Sequence, residues 1–354
     1  MSSSISSQSD RFSDLHQDCL IACATQAPVM SGLRSKRIAI TGGTGFMGSW
    51  IAQMVAALND EYQLGISLDL YARNTAAWAR KYPHLSTRKE IFLMAQDVRS
   101  PFEFKQGTNF IIHAAGIPDN RLHASDPLRV QQTTVLGTAN VLDAANQLNQ
   151  LERFLNISSC LVNGSPNRPG AISEGDCFPI SSGQLHQVYI DSKRASESLS
   201  SIYRSQFRLP ISVMRPFTFI GPYQELDRPW AINSFLNDAI TGRDIRIHGD
   251  GTARRSYLYG SDAAWWVLAA LVKGQSGGVY NLGSAAPVAH SELVKLICEK
   301  ASLKPRLSFN TAPLPLLHQD DLFPDITLTT KHLGVHQTCS LEQAIDKTWR
   351  WNSL

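Results

Sequence analysis

From residue 36 onward the chain alternates short runs of β-branched and other apolar residues with longer stretches whose apolar residues recur on one helical face. This pattern predicts strands over 37–41, 65–71, 91–94, 110–113, 154–158 and 211–215, and helices over 48–58, 75–81, 133–148 and 189–206. Such alternation predicts an α/β fold, a parallel sheet covered by helices on both faces. After Arg215 the pattern loosens, and Pro216, Gly221, Pro222 and Pro229 punctuate a segment that leaves the sheet. A helix over 263–271 and a strand over 278–282 are expected to return to it. The main domain is therefore read as 36–215 with 256–285. A smaller C-terminal lobe, 216–255 with 286–354, is interleaved with it and closes with helices over 291–301 and 340–351.

Residues 1–35 form an N-terminal extension. Its first eight residues are mostly Ser and Gln, too polar to order themselves, whereas Phe12, Leu15, Cys19, Ala22 and Cys23 are spaced for one face of a docking helix. No basic segment precedes an apolar run here, and Asp10, Asp14, His16 and Asp18 interrupt any secretion signal. With 43% hydrophobic residues in 354 the chain can bury a substantial core. A net charge of +3, with no long block of one sign, argues against a nucleic-acid or acidic-lipid surface. The six cysteines are scattered without metal-ligand spacing, so they read as free thiols and no metal is expected. The longest apolar stretches, such as 263–272, are too short to span a membrane, and the expected location is the cytoplasm.

The first predicted strand runs directly into Thr41-Gly42-Gly43-Thr44-Gly45-Phe46-Met47-Gly48, and a helix follows without a gap. Gly42 permits a tight turn, Gly45 lets backbone amides approach a pyrophosphate, and Gly48 lets the helix pack close to the strand. The helix N-terminus then faces phosphate. The strand-turn-helix context identifies a dinucleotide-binding turn, and the absence of Gly-Lys-Ser/Thr excludes a P-loop. At the end of the second strand an acid would bind an NAD ribose and an arginine an NADP phosphate. Asp69 is flanked by Leu68 and Leu70 as though still inside the strand, whereas Arg73 stands where the loop begins, so NADP(H) is favoured over NAD(H).

Tyr189 and Lys193 lie four residues apart, on one face of a predicted helix. A free phenol is a poor base at neutral pH, and a nearby ammonium favours its phenolate. Tyr189 can then take a proton from a substrate hydroxyl while hydride leaves for a bound nicotinamide.

The TGxxGxxG turn and the YxxxK pair resemble those of extended short-chain dehydrogenases/reductases, the NAD(P)-dependent nucleotide-sugar epimerase/dehydratase family, and later motifs extend the likeness over about 36–351. The resemblance implies a Rossmann-type doubly wound sheet, with Gly42, Thr44, Gly45, Phe46, Met47, Gly48, Arg73, Tyr189 and Lys193 at the cofactor. It adds Asp97 and Val98 near adenine, and His113, Ala114 and Ala115 in a small-residue turn; Thr134 departs from the usual Asn. The run ending Ser158-Ser159-Cys160-Leu161-Val162-Asn163-Gly164 resembles the family's SSxxVYG, which makes Ser159 the catalytic hydroxyl beside Tyr189 and Lys193 and a substrate contact. Family dehydratases carry an Asp-Glu pair where this chain has Cys160 and Leu161, and decarboxylating relatives keep the Glu. Glu174 and Asp176, on a nearby loop, are read as surface residues. The segment 247–262 resembles GDGxxxRxYxxVxD and implies Arg255 on the substrate pyrophosphate.

Three functions follow as expectations. The first is hydride transfer at sugar C4, as an epimerase or a 4-ketosugar reductase. The second is a nucleotide-sugar 4,6-dehydratase with unrecognised acids, and the third a non-catalytic NADP-sensing or scaffold protein. A homodimer is expected from the resemblance alone.

Overall fold

The computed structural model describes residues 2–24, 27–164, 166, 168–179, 183–301, 307–310 and 321–353. An extension of α1 (Ser2–Cys23) and α2 (Ala27–Leu33) precedes β1 (Arg37–Thr41), α3 (Phe46–Tyr62), β2 (Ser67–Ala72), α4 (Thr75–Lys81), α5 (Pro83–Ser86), β3 (Ile91–Ala95) and β4 (Phe110–His113). Two short helices, α6 (Asn120–Ser125) and α7 (Pro127–Gln131), lead through a π-helical turn, Gln132–Leu136, into α8 (Gly137–Ala145). Then come β5 (Arg153–Ile157), α9 (Val188–Gln206) and β6 (Ile211–Pro216). The helix expected over 133–148 thus opens in π geometry and stops three residues early.

Beyond β6 lie β7 (Thr218–Ile220), α10 (Ala231–Ile240), β8 (Ile245–His248), β9 (Arg254–Arg255) and β10 (Tyr257–Tyr259). The chain then returns through α11 (Gly260–Lys273) and β11 (Val279–Leu282). It closes with β12 (Val288–Ala289), α12 (His290–Ala301), β13 (Leu307–Asn310), β14 (Asp321–Leu322), α13 (Thr327–Leu333) and α14 (Leu341–Asn352).

The central sheet has seven parallel strands in the order β11-β6-β5-β4-β1-β2-β3, and every β4 residue is buried. Covering both faces of such a sheet requires the near-continuous apolar runs of 38–40 and 110–112. The strand order reverses between β1 and β4, which opens a crevice at their carboxyl ends.

The returning segment is anchored by Trp50 of α3. A Cβ on Gly260 would lie 2.0 Å from the Trp50 indole nitrogen, so only glycine lets the start of α11 rest on that ring. The indole N–H donates to the Pro222 carbonyl at 2.8 Å, tying α3 to the segment that leaves the sheet. Burying one indole contributes roughly 4–6 kcal/mol as an upper bound, enough to fix this junction.

Helix α1 buries Leu15, Cys19, Ala22 and Cys23 against α3 and α11, and its backbone is helical from Ser2, through the polar tip where no order was expected. Its Asp18 is buried and accepts hydrogen bonds from the Tyr259 hydroxyl at 2.8 Å and Lys347 Nζ at 2.7 Å. No helix among the described residues is long and apolar enough to cross a membrane, and none of their His, Cys, Asp and Glu side chains form a metal-sized cluster.

Candidate active site

The glycine turn follows β1 at the crevice. Gly42 has φ +70°, and a Cβ there would stand 2.8 Å from the Ala114 carbonyl oxygen, so the turn needs glycine for both conformation and space. A Cβ on Gly48 would lie 2.1 Å from the Gly43 carbonyl oxygen, which makes glycine obligatory where α3 approaches the turn. Gly45 is the N-cap of α3, in extended conformation and with no side chain capping the first amides. A backbone cradle with uncapped amides at a helix N-terminus fits a dinucleotide pyrophosphate. Thr44 and Met47 are half-buried, and Phe46 stacks on Phe219 of β7 at 5.8 Å.

At the end of β2 the two candidate selectors separate. Asp69 is wholly buried within the strand, where Arg37 holds it at 2.9 Å and Lys105 at 3.2 Å. Arg73 is exposed just past the strand, with its charge acting on Asp97. Asp97 itself is gripped by Arg99 through Oδ1 and Oδ2, and that hydrogen-bonded guanidinium holds its carboxyl below the usual range. Val98 is buried, its Cγ2 2.7 Å from where a Gly137 Cβ would stand.

His113 ends β4 with its ring turned inward. Nδ1 lies 2.7 Å from Thr41 Oγ1 and Nε2 3.0 Å from Thr138 Oγ1, and burial lowers the ring's pKa to about 3. The turn Ala114–Ala115, rather than the His113 ring, therefore borders the glycine cradle. Thr134, at the departure from Asn, is buried in the π-helical turn with its hydroxyl unpaired among the described residues.

Ser159, Tyr189 and Lys193 come together beside this turn. Ser159 follows β5, is buried, accepts from Leu161 N at 3.2 Å, and its hydroxyl acts on the Tyr189 phenol, lowering its pKa. Lys193, one turn along α9 from Tyr189, has Nζ 6.0 Å from the Tyr189 ring centroid and donates to the Ile157 carbonyl at 2.7 Å. A Cβ on Gly116 would lie 3.5 Å from that Nζ, so the turn after β4 and the lysine share one space. Burial brings the ammonium down to about 8, with Glu197 acting in the opposite direction. The expected cationic help to the phenol is not the dominant effect. Burial pushes Tyr189 above its ordinary value of 10.0; the Ser159 hydrogen bond lowers it and Cys160 raises it further. Tyr189 is thus a neutral phenol at pH 7.

Arg255 sits on β9, with Nη1 donating to the Arg254 carbonyl at 2.7 Å and its charge reaching the Cys160 thiol. Arg254 is committed to Asp321, at 2.8 and 2.6 Å. Glu174 accepts from Asn281 N at 2.8 Å and Thr329 Oγ1 at 3.3 Å, so it bonds to protein groups. Asp176 is bound by Arg168 and by Ser173 N, each at 2.8 Å.

Sequence reasoning missed His123 of α6, which stacks on Tyr189 with ring centroids 4.5 Å apart and planes 12° apart. Its Nε2 lies 2.7 Å from the Ile117 carbonyl, which fixes the ring. No motif marks this residue; only the approach of α6 to the start of α9 reveals it.

These features define a dinucleotide-binding α/β protein with a hydroxyl, a phenol and an ammonium beside its glycine cradle. Residues 38–283 match the NAD dependent epimerase/dehydratase family model, and the chain belongs to that family. It is 26% identical to UDP-glucuronic acid decarboxylase 2 of Arabidopsis thaliana, over 91% of this chain and 70% of that one. It is 25% identical to dTDP-D-glucose 4,6-dehydratase of Mus musculus, over 90% and 89% of the two chains. Among solved structures it resembles UDP-glucuronic acid 4-epimerase from Bacillus cereus in complex with UDP-glucuronic acid and NAD. The TM-score is 0.76 at 22% identity, covering 89% of this chain and 98% of that one.

Proposed function

We propose that this protein is an NAD(P)-dependent oxidoreductase that moves hydride at C4 of a nucleotide-linked sugar, as a 4-ketosugar reductase or an epimerase. The observation that carries the reading is the convergence of Ser159, Tyr189 and Lys193 where the turn after β4 meets the glycine cradle. Family membership and relatives that act on nucleotide sugars support it. The dinucleotide, when bound, supplies or accepts the hydride.

Ser159 and Tyr189 hold the sugar O4 between their hydroxyls. In the reductive direction Tyr189 donates its proton to O4, and its burial keeps that proton on the phenol at neutral pH. Lys193, still largely charged at pH 7, stabilises the phenolate left behind and orients neighbouring hydroxyls. Arg255 holds the sugar's pyrophosphate, a bidentate task suited to a guanidinium.

NADP(H) is the proposed cofactor. Asp69, the acid that would meet a ribose hydroxyl, is sealed by Arg37 and Lys105, while Arg73 stands exposed at the strand end. Dehydration is disfavoured because Cys160 and Leu161 replace the acid pair and both neighbouring carboxylates bond to protein groups.

The test is incubation with a panel of nucleotide sugars and their 4-keto forms, with and without NADPH, read by mass spectrometry. Gain of two hydrogens, or an unchanged mass with inverted C4, supports the reading. Loss of one water from a 6-hydroxylated sugar contradicts it.

A further inference from the structure

We propose that His123 is a positioning residue for Tyr189: stacked on the phenol and fixed by the Ile117 carbonyl, it holds that ring at one tilt beside Ser159. This rests on the C4 reading above, in which Tyr189 moves the proton. The place of Tyr189 in the chain makes such a support necessary. It is the second residue of α9, in the first turn, where amides lack partners within the helix, and Gln187 at the N-cap provides no side-chain hydrogen bond. The helix alone does not set a ring on an uncapped first turn.

Ile117, Val130 and Leu161 pack around Tyr189 and fill space without fixing its angle. His123 fixes it. The two rings lie with centroids 4.5 Å apart and planes 12° apart, a near-parallel stack in which tilting either ring drives it into the other. The imidazole is itself held. A carbonyl only accepts, so Nε2 carries the proton toward Ile117, at 2.7 Å, and Nδ1 is left with its lone pair. Burial lowers the ring's pKa below the ordinary 6.5, while the Ile117 hydrogen bond and Asp119 act the other way, so the ring is neutral at pH 7. A neutral ring places the phenol without bringing a charge to it.

The helix that carries His123 is fastened as well. With 6 residues, α6 is too short to stand alone. At its N-terminus Asp119 accepts from Arg121 N at 3.0 Å and pairs with the Arg121 guanidinium at 2.7 Å and with Arg228 of the lobe at 3.4 Å. Arg121 Nη1 also donates to the Asp227 carbonyl at 3.3 Å. His123 therefore reaches the phenol from a helix braced on the lobe.

The experiment compares wild type with His123→Ala, His123→Phe and His123→Gln on the panel of nucleotide sugars above, with NADPH. His123→Ala is expected to lower kcat about tenfold to hundredfold, as a misplaced proton donor does, with KM and NADPH affinity within about twofold of wild type. His123→Phe keeps a stacked ring and should stay within about threefold of the wild-type kcat. His123→Gln keeps a donor for Ile117 without a ring and should fall as His123→Ala does; the contrast between Phe and Gln carries the same test if the alanine variant does not fold. In a Tyr189→Phe background His123→Ala should cost no further turnover, whereas a general loosening of the site would add its own loss. The ring signals of Tyr189 in NMR spectra, assigned by their absence in Tyr189→Phe, should move downfield and broaden in His123→Ala. Unchanged ring signals, equal losses of kcat with and without the stacked ring, or an additive loss in the double variant overturn the proposal. Ring signals that change while the wild-type protein turns over no nucleotide sugar contradict the C4 reading and support the placement of the ring by His123.

Discussion

The proposed cofactor side of the cleft is built from backbone, and the proposed sugar side from side chains. On the first, Gly42 and Gly48 stand where a Cβ would meet carbonyl oxygens at 2.8 and 2.1 Å, and α3 presents uncapped amides. On the second, Arg255 rides on a two-residue strand, and the short strands around it are held by pairs such as Arg254 with Asp321. A backbone wall recognises what all dinucleotides share. A side-chain wall can be re-cut residue by residue, as Cys160 and Leu161 illustrate, while the first wall stays fixed.

The largest break in this contrast should come from the backbone side. Gly48→Ala drives a methyl into the Gly43 carbonyl, and neither strand nor helix can yield without disturbing the buried core. The expected loss is roughly 3–5 kcal/mol of stability, together with cofactor binding, measured by urea unfolding and by titration with NADPH. A stability within 1 kcal/mol of wild type, roughly the ordinary cost of a point mutation, would show that the turn is pliable.

Arginine removals sharpen the contrast at smaller cost. Arg73→Ala should weaken NADP(H) by roughly 1.5–3 kcal/mol and leave NAD(H) nearly unchanged, because a single charge-assisted phosphate contact is lost. Arg255→Ala should raise KM for the nucleotide sugar by a similar free energy with cofactor affinity intact. Equal losses for both cofactors, or an unchanged KM, move the respective site elsewhere.

The smallest effect is a pH dependence of stability. His113 is buried and neutral with its pKa near 3, against 6.5 for the ordinary group. On acidification the unfolded chain takes up a proton that the folded chain refuses. Stability is therefore lost as pH falls below 6.5 and the loss saturates near 3. Between pH 7 and 5 this amounts to about 2 kcal/mol, and His84, lowered by burial to about 4, acts in the same direction. Urea unfolding at the two pH values should show a shallower decline in His113→Gln, and an identical decline would assign the effect to other groups.

The backbone side was also the more legible in the sequence. Glycine spacing and strand periodicity express local sterics, so the predicted strands over 37–41 and 110–113 and the helix over 75–81 coincide with β1, β4 and α4. The placement of Asp69 inside the strand, between two leucines, matches its burial in β2. The lobe was harder to read. Strands of two or three residues, β7, β9 and β10, are too short to carry a period, and they pair with partners far away in the chain. His123 on Tyr189 and the commitment of Arg254 to Asp321 depend on tertiary approach. The Tyr189 phenol follows burial rather than the YxxxK spacing, because desolvation dominates there and the lysine ammonium is turned to the Ile157 carbonyl.

Replacing the phenol proposed to move the proton tests this site most directly. Tyr189→Phe keeps the ring that stacks on His123 and deletes only the hydroxyl. Turnover of the wild-type substrate should fall by about 10²–10⁴-fold, with NADPH affinity and thermal stability near those of the wild type. Turnover within a factor of about three of wild type, far short of that range, would contradict Tyr189 as the proton donor and with it the C4 reading.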